Sequence, residues 1–454
     1  MRPRKADFHI WRMGSFVIIS FLYALVFFHR VNPSIVAADM AQSYNVSKGS
    51  FGIFSSMYFY PYAIIQPFAG LLADIMEPSY LIGFAHITSS IGSFMCGYSK
   101  SFFGGCVGRL LVGLGSGPTY VPVTRYFANW FDLSMFPVLS GILLAIGGCG
   151  GIVAQGLLPV LTLKYGWRLS FYLFGLIDFF FAILCLIFVK GNPVTLGFDP
   201  VNEDLAVDVT KLPLSERLSS LAGNFITVIN YPYFWVATAI VVTINGPYFN
   251  AAGLWIGSYL KDVFDYDINK SGRTQIYISV GMIIGSLLLP LISNRINSRK
   301  RALIGTATLS FISAAVMYYF GKNLPIWGLN ATLIVFGAAS NPVTTIGYPL
   351  IREYYHPSIS ATSTGCSNFF TFMSSAGYQT LTGIIIQRFG TKPGTTTFVE
   401  DGYKYGLWLF SCISFFIAII LGILVKDTHI ATKEYQSIDE PNNELDLTEK
   451  SEYK

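Results

Sequence analysis

The chain has 454 residues, of which 52% are hydrophobic and only 12% are charged, with 30 Lys and Arg against 25 Asp and Glu. About a quarter of the residues in a typical soluble domain are charged, and a soluble core for this much apolar side chain would be implausibly large. The composition excludes an ordinary soluble enzyme, a disordered protein and a small disulfide-linked domain, and it predicts a helical protein with several membrane spans.

Runs of about 20 mainly apolar residues, the length that a membrane-spanning helix needs, recur along the chain. The first six lie near 12–37, 50–73, 79–98, 101–123, 136–161 and 168–189. After a polar segment, six more lie near 232–259, 274–293, 302–320, 326–348, 359–387 and 403–425. The sequence therefore predicts an all-α polytopic membrane protein with twelve transmembrane helices, and no run alternates like a barrel strand.

The runs divide the chain into four predicted regions. They are an N-terminal six-helix bundle over 1–189, a cytoplasmic linker over 190–230, a C-terminal six-helix bundle over 231–425 and a disordered cytoplasmic tail over 426–454. An even number of spans places both termini on one side of the membrane. The basic N-terminus and the basic loop at 295–301 lie on that side, which indicates that both termini are cytoplasmic.

Two segments of the predicted cytoplasmic side have further interpretations. Within the linker, four leucines are spaced for a short amphipathic helix on the membrane surface, and an ordinary linker with some helix is the alternative: Leu212, Leu214, Leu218 and Leu221. In the tail, Tyr435-Gln-Ser-Ile438 is similar to a Tyr-x-x-hydrophobic sorting signal that vesicle-coat adaptors bind. The plasma membrane is the expected location, with an endolysosomal membrane as the alternative.

The two predicted bundles share a sequence repeat. Gly113-Leu-Gly-Ser-Gly-Pro118 in the fourth span aligns with Gly337-Ala-Ala-Ser-Asn-Pro342 in the tenth. The last span of each half also begins similarly, with Tyr165-Gly166 and Tyr405-Gly406. Duplicated halves are what a transporter needs to alternate access around a central site, whereas small residues alone can simply allow close helix packing. The repeat predicts two pseudo-symmetric bundles.

Other classes of chemistry leave no pattern in the sequence. The six cysteines lie in apolar stretches without metal-ligand spacing, and the five histidines are scattered. We therefore predict no metal site and no cofactor. No nucleophile–base set or pair of carboxylates indicates an enzyme, and no basic tract with interleaved aromatic residues indicates nucleic-acid binding.

Several motifs resemble those of the major facilitator superfamily, over nearly the whole spanning region. Gly70-Leu-Leu-Ala-Asp74 is similar to its Gly-x-Leu-Ala-Asp loop, in which the Asp caps a neighbouring helix and pairs with Arg, although the basic residues that follow it are missing here. Arg109-x-x-x-Gly113-x-Gly115 resembles its fourth-span element, and the glycines of 141–151 resemble its fifth-span motif. The resemblance implies a transporter fold and gives Asp74 and Arg109 gating roles, with helix packing as the alternative for Arg109.

The first span contains Phe28-His29-Arg30-Val31-Asn32-Pro33-Ser34, which is similar to a stretch of the anion:cation symporter branch. The organophosphate:phosphate antiporter branch also has a first-span Arg. The resemblance implies that Arg30 binds the anionic group of the substrate, which suits its permanently charged planar fork. The alternative is that Arg30 extends to the membrane interface. The seventh span lacks a second basic residue, which favours a monoanion over a dianionic phosphate.

Aromatic and amide residues on cavity-facing helices complete the predicted substrate site: Tyr58, Tyr62, Tyr120, Asn245, Tyr248, Asn341 and Asn368. Tyr58 and Tyr62 are four residues apart and so share one helix face. His29 and Asp178 are further candidates for coupling or gating, beside His86. A buried, unpaired Asp178 would be costly, so we expect it to be protonated or paired, and a structural role is the alternative.

The predicted function is a secondary active transporter that moves a small organic anion by alternating access, coupled to protons or to exchange. One alternative is a transporter of a neutral solute such as a sugar, a nucleoside or a small peptide. Another is a transporter-like nutrient receptor or adaptor without net flux. The expected partners are the substrate, a proton or counter-ion, the lipid bilayer and, through Tyr435–Ile438, a sorting adaptor.

Overall fold

The computed structural model describes residues 5–47, 49–132, 135–202 and 214–428. These residues form α-helices joined by short 3-10 and π segments, with one isolated β-bridge between Thr391 and Phe398. The sorting-signal candidate Tyr435–Ile438, the tail beyond residue 428 and residues 203–213 of the linker lie outside the described residues. So does the side chain of Asp74.

The helices follow the predicted runs along the chain. In the first half they are α1 (Lys5–Ser43), α2 (Phe51–Ile75), α3 (Pro78–Tyr98), α4 (Phe102–Ser116), α5 (Tyr120–Trp130), α6 (Phe136–Tyr165) and α7 (Trp167–Phe188). The linker contains α8 (Leu214–Ile229). The second half contains α9 (Pro232–Asn250), α10 (Ile256–Val263), α11 (Ile268–Arg295), α12 (Arg299–Phe320), α13 (Ile326–Ser340), α14 (Thr344–Glu353), α15 (Pro357–Phe389), α16 (Glu400–Tyr403) and α17 (Phe410–Leu424).

Seven helical stretches of the described residues are long and apolar enough to cross a membrane by themselves. They are Asp7–Ser43, Val138–Tyr165, Trp167–Phe188, Pro232–Asp262, Ile268–Arg295, Arg299–Asn323 and Glu400–Leu424. The other predicted runs are helical as well, with α4 and α5, and likewise α13 and α14, following each other across a short break. The chain is an integral, multi-pass membrane protein.

The fourth and tenth spans break at the positions that the sequence repeat aligns. A 3-10 segment at Gly117–Thr119 separates α4 from α5, and one at Asn341–Val343 separates α13 from α14. Each contains the aligned proline, which has no N–H to donate to a helical hydrogen bond. The match of Tyr165-Gly166 with Tyr405-Gly406 does not correspond to a similar start of the last span in each half. Gly166 (φ 80°) separates α6 from α7, whereas Gly406 lies inside a π-helical segment.

Repeated glycines let helices of each half approach closely. A Cβ atom at Gly113 would lie 2.0 Å from the carbonyl oxygen of Tyr58, and one at Gly337 would lie 2.1 Å from that of Ile278. The first contact joins α4 to α2 and the second joins α13 to α11. The packing role that small residues allow is therefore realised at the same position of both halves.

The two halves are in close contact on the side of the bundle opposite the chain termini. We call the side where α1 begins and α17 ends the terminal side, and the opposite side the far side. On the far side, Ser34 of α1 donates a hydrogen bond of 2.8 Å to Gln275 of α11. A Cβ atom at Gly257 of α10 would lie only 1.9 Å from the carbonyl oxygen of Ser34. The structure is therefore closed on its far side.

Candidate substrate and coupling site

Arg30 lies at the interface between the two halves and is buried, with 4% of its surface exposed. Its guanidinium carbon lies 4.7 to 5.9 Å from the centroids of five rings, which we call the aromatic cage: Phe27, Tyr58, Tyr62, Phe249 and Phe372. The first three rings come from α1 and α2, and the last two come from α9 and α15 of the second half. Both halves therefore contribute to the surroundings of this one cation.

The charge of Arg30 has no partner of opposite sign. No carboxylate lies within ion-pair distance of it among the residues that the structure describes, and its Nε carries no hydrogen bond. Removing such a cation from water costs several kcal/mol, and each cation–π contact offsets about 0.5–2 kcal/mol of that. Its burial in the cage does not fit the alternative in which Arg30 extends to the membrane interface.

The predicted face of α2 lies against this centre. The rings of Tyr58 and Tyr62 stack at 5.6 Å, and both contact the guanidinium. One turn further, Gln66 donates to the carbonyl oxygen of Gly117 in the break of the fourth span. Asn368 of α15 donates to Gln66 across the halves at 3.4 Å. The four-residue spacing therefore aligned these side chains correctly.

The remaining predicted substrate residues lie around this centre at different depths. Asn245 is buried and donates to the carbonyl oxygen of Asn341, while the hydroxyl of Tyr248 contacts the sulfur of Met282 in the second half. By contrast, Tyr120, Asn341 and Asn368 are half-buried. The structure thus brings Tyr58 and Tyr62 to Arg30 and places Tyr248 in the packing of the second half.

Three members of the aromatic cage were not predicted, namely Phe27, Phe249 and Phe372. An anion site is indicated by polar residues, and phenylalanines in an apolar span carry no such signal. Phe27 lies almost one turn before Arg30, so helical spacing was the one usable hint. Phe249 directly follows Tyr248, and only the rotation of α9 decides which of the two faces Arg30.

Arg109 is a second buried cation beside the cage. Its Nη1 donates a hydrogen bond of 2.7 Å to the carbonyl oxygen of His29, and its guanidinium carbon lies 4.8 Å from the ring centroid of Tyr58. Its Nε and Nη2 have no hydrogen-bond partner. The alternative packing role, donation to a backbone carbonyl, is thus present in the structure, and a gating role stays a prediction.

Asp178 is paired with two histidines inside the first half. Its Oδ1 lies 2.6 Å from Nδ1 of His86, and its Oδ2 lies 3.4 Å from Nε2 of His29. All three side chains are at most 1% exposed. On the other side of its ring, His86 contacts the hydroxyl of Thr119 at 3.3 Å. The pairing fits the expectation that Asp178 is either protonated or paired.

A span pattern with a repeated break, a central Arg and two packed halves limits the families to which this chain could belong. Residues 16–378 match the family model described as Major Facilitator Superfamily. The chain belongs to the major facilitator superfamily. It is therefore a secondary transporter of this superfamily's type, and not an enzyme.

Curated relatives within the superfamily are distant. The chain is 21% identical to the probable sulfoacetate transporter SauU of Cupriavidus necator, over 70% of this chain and 74% of the relative. It is 21% identical to the probable hexose phosphate transport protein of Chlamydia trachomatis, over 82% and 84%. It is 20% identical to the membrane sensor protein UhpC of Salmonella typhimurium, again over 82% and 84%.

A solved structure supports the fold over nearly the whole chain. It is the crystal structure of a bacterial homologue of the human lysosomal transporter Spinster in an inward-facing, occupied conformation. It superposes with a TM-score of 0.68 at 14% identity and covers 94% of this chain and 97% of that chain. The predicted superfamily fold is confirmed.

The terminal side of the second half carries an ion-pair network around the start of α12. Arg299 forms a bidentate pair with Glu353, with its Nε 2.8 and 2.9 Å from the two carboxylate oxygens. Asp427 accepts from the backbone N–H of Arg299 at the start of α12. In the first half, Arg125 donates a hydrogen bond to the carbonyl oxygen of Ala73, next to Asp74.

Proposed function

We propose that this transporter carries a small organic anion by alternating access, coupled to protons or to exchange, and that Arg30 binds the anionic group. The observation that carries the proposal is the aromatic cage with its unpaired, buried cation. Leaving a buried charge without a counter-charge is costly, so an anion that reaches Arg30 supplies the missing charge. Arg can accept a carboxylate, sulfonate or phosphate through two parallel hydrogen bonds.

The origin of the cage in both halves supports alternating access. An anion on Arg30 would touch Tyr58 and Tyr62 of one bundle and Phe249 and Phe372 of the other. Movement of the halves against each other then changes which side of the membrane the anion faces, while Arg30 keeps its position on α1. The closed far side and the half-buried Tyr120, Asn341 and Asn368 are consistent with access from the terminal side.

The charge of the site favours a single negative charge on the substrate. α9 carries no basic residue, and its polar groups near the centre are the amides and hydroxyl of Asn245, Asn250 and Tyr248. Relatives named for sulfoacetate and hexose phosphate transport support the anion class in general. One Arg with neutral partners matches a carboxylate or sulfonate better than a doubly charged phosphate.

Counterflow in proteoliposomes tests the proposal. Purified protein is reconstituted with unlabelled sulfoacetate, glucose 6-phosphate or glucose inside, and entry of the labelled compound is measured. We expect exchange of an anion but not of glucose, and loss of that exchange in Arg30→Gln. Arg168→Gln is the matched control, because Arg168 also packs on aromatic rings, 4.2 Å from that of Trp167, but donates to Ser99 at the edge of the first half.

A receptor without net flux is the second candidate, favoured by the similarity to a membrane sensor protein. Ligand binding raises the midpoint of thermal unfolding in either case, because a ligand that binds only the folded state stabilises it. Stabilisation by a probe anion together with no counterflow would favour the receptor. Equal exchange by wild type and Arg30→Gln would contradict the anion site.

A further inference from the structure

A cluster of buried ionisable groups lies beside Arg30 and is formed by His29, His86 and Asp178. The three side chains come from α1, α3 and α7, and His29 directly precedes Arg30. Asp178 Oδ1 is held by His86, whereas Oδ2 accepts no hydrogen bond although His29 Nε2 is only 3.4 Å away. Both ring nitrogens of His29 also lack a hydrogen bond. A proton on Nε2 of His29 would give this unpaired oxygen its donor.

Thr119 connects the cluster to the break in the fourth span. Its hydroxyl oxygen lies 3.3 Å from Nε2 of His86 and 3.0 Å from the carbonyl oxygen of Ser116. A hydroxyl has one hydrogen, and a carbonyl can only accept. When Thr119 donates to Ser116 and Asp178 is ionised, a bond to His86 requires a proton on Nε2 as well as on the Nδ1 that faces the carboxylate.

The alternative protonation state reverses this bond. If His86 is neutral with its proton on Nδ1, Thr119 must turn its hydrogen towards Nε2 and release Ser116. The protonation of His86 therefore decides which bond Thr119 makes within the 3-10 segment Gly117–Thr119. This gives the cluster a direct structural connection to the break in the fourth span.

We propose that His29, His86 and Asp178 form the proton-binding site that couples anion movement to a proton gradient. The inference rests on the proposed function, because it concerns the coupling of the anion that Arg30 binds. It replaces the open choice between proton coupling and exchange with symport of a proton and an anion. Thr119 is a positioning residue that relays the protonation state of His86 to the fourth span.

The surrounding charges determine the sign of this coupling. Arg30 follows His29 in α1, and Arg109 of α4 donates to the His29 carbonyl oxygen, with the ring of Tyr58 of α2 on its other side. Over 138–163, α6 offers one titratable side chain, Cys149, and it is exposed. These two arginines are the cations next to His29, and positive charge nearby disfavours the addition of a proton.

Anion binding changes that balance. An anion on Arg30 neutralises one of the two cations, so the proton affinity of the cluster rises. By linkage, protonation of the cluster raises the affinity for the anion by the same factor. Proton and anion therefore bind together and cross together.

Two transport measurements on the reconstituted full-length protein separate the proton site from the anion site. Counterflow of labelled sulfoacetate or glucose 6-phosphate at equal pH needs only the anion site and alternation. Net uptake driven by an alkaline interior also needs the proton site. With the membrane potential clamped at zero, one proton per anion gives about tenfold accumulation per pH unit whatever the charge of the probe. We expect Asp178→Asn and His86→Gln to keep counterflow and to lose gradient-driven accumulation.

Further variants provide a control, a replacement for a variant that does not fold, and a test of Thr119. Asp262→Asn is the matched control, because Asp262 is another buried carboxylate but accepts from the N–H of Phe398 and the hydroxyl of Tyr403, and we expect it to keep accumulation. His29→Gln leaves the Asp178–His86 pair intact and serves if Asp178→Asn does not fold. Thr119→Val should shift the pH at which accumulation is half-maximal, and Thr119→Ser should restore it.

The outcomes distinguish the two proposals. Wild-type counterflow without gradient-driven accumulation overturns the proton site and leaves the anion site standing. The same holds if both Asp178→Asn and His29→Gln accumulate the anion as wild type does. Absence of counterflow for every probe anion overturns both proposals.

Discussion

The two halves share a backbone repeat but differ in the chemistry of their interiors. In the first half, two arginines, two histidines and one aspartate are buried near the centre of the bundle: Arg30, Arg109, His29, His86 and Asp178. At the same level, the described second half offers neutral groups: Asn245, Asn250, Ser367, Thr371 and Gln379. The halves therefore share a close glycine contact but differ in their interiors, since one holds charged groups and the other holds neutral polar groups.

The second half has a group of paired charges at the terminal side. Arg299, Glu353 and Asp427 join the starts and ends of helices there, where water and salt reach them. A charge in the interior of a membrane protein costs much more than one at its edge. Interior charge in the first half is therefore a candidate for function, whereas edge charge in the second half is compatible with a purely structural cause.

The largest effect on stability should come from disturbing the close glycine contact that both halves share. Gly113→Ala and Gly337→Ala each place a Cβ atom about 2 Å from a backbone oxygen, so the contacting helices must separate. We expect each to destabilise its own half by ~1–3 kcal/mol, the usual cost of overpacking. The measurement is the midpoint of thermal unfolding in detergent.

Matched glycines without neighbours control this prediction. A Cβ atom at Gly141 in the first half or Gly305 in the second would meet nothing within 4 Å. Alanine there should be neutral or slightly stabilising, because it favours helix more than glycine does. If only one of Gly113→Ala and Gly337→Ala is destabilising, the halves are not equivalent in packing.

Disturbing the contact between the halves should have a smaller effect on stability but a large effect on transport. Gly257→Ala puts a methyl group 1.9 Å from the Ser34 carbonyl oxygen, across the far side. Both halves should fold, and the far-side-closed state should lose at least ~1.4 kcal/mol, about tenfold in population. Counterflow should fall accordingly, while the unfolding midpoint changes little.

Gly156→Ala is the control for that experiment. Gly156 also faces the other half, but the nearest atom, Cδ1 of Ile276, would be 3.9 Å from a new Cβ atom. This variant should transport as wild type does. Equal unfolding midpoints for Gly257→Ala and the severely destabilised Gly113→Ala would show that the halves form one rigid unit, against the alternating model.

The smallest effect should come from the edge pair of Arg299 and Glu353, whose side chains are 15% and 29% exposed. A double-mutant cycle with Arg299→Met and Glu353→Gln should give a coupling of about 0.5–1 kcal/mol that decreases with salt. Lys322 and Glu400 form a more exposed pair and should show less. A salt-independent coupling above this range would contradict the view that edge charge is weak.

Local features of the structure could be predicted from the sequence, and the rotation of packed helices could not. The alignment of Gly113–Pro118 with Gly337–Pro342 predicted a repeat, and both blocks contain the same helix break, because proline and small residues act locally. Tyr58 and Tyr62 were correctly placed on one face, since helical spacing is also local. The sequence did not indicate that Phe249 rather than Tyr248 faces Arg30, because the rotation of a helix depends on its packing against other helices.

The sequence by itself determined the membrane class, the duplicated halves and the superfamily, and it singled out Arg30, His29, Arg109 and Asp178 as ionisable residues within the spans. It could do so because span length, small-residue motifs and scarce charges are properties of short segments. Only the tertiary structure decided that Asp178 is held between His86 and His29, and that Phe27, Phe249 and Phe372 surround Arg30. Those residues are far apart in the chain, and the pairing of buried groups is set by the helices that bring them together.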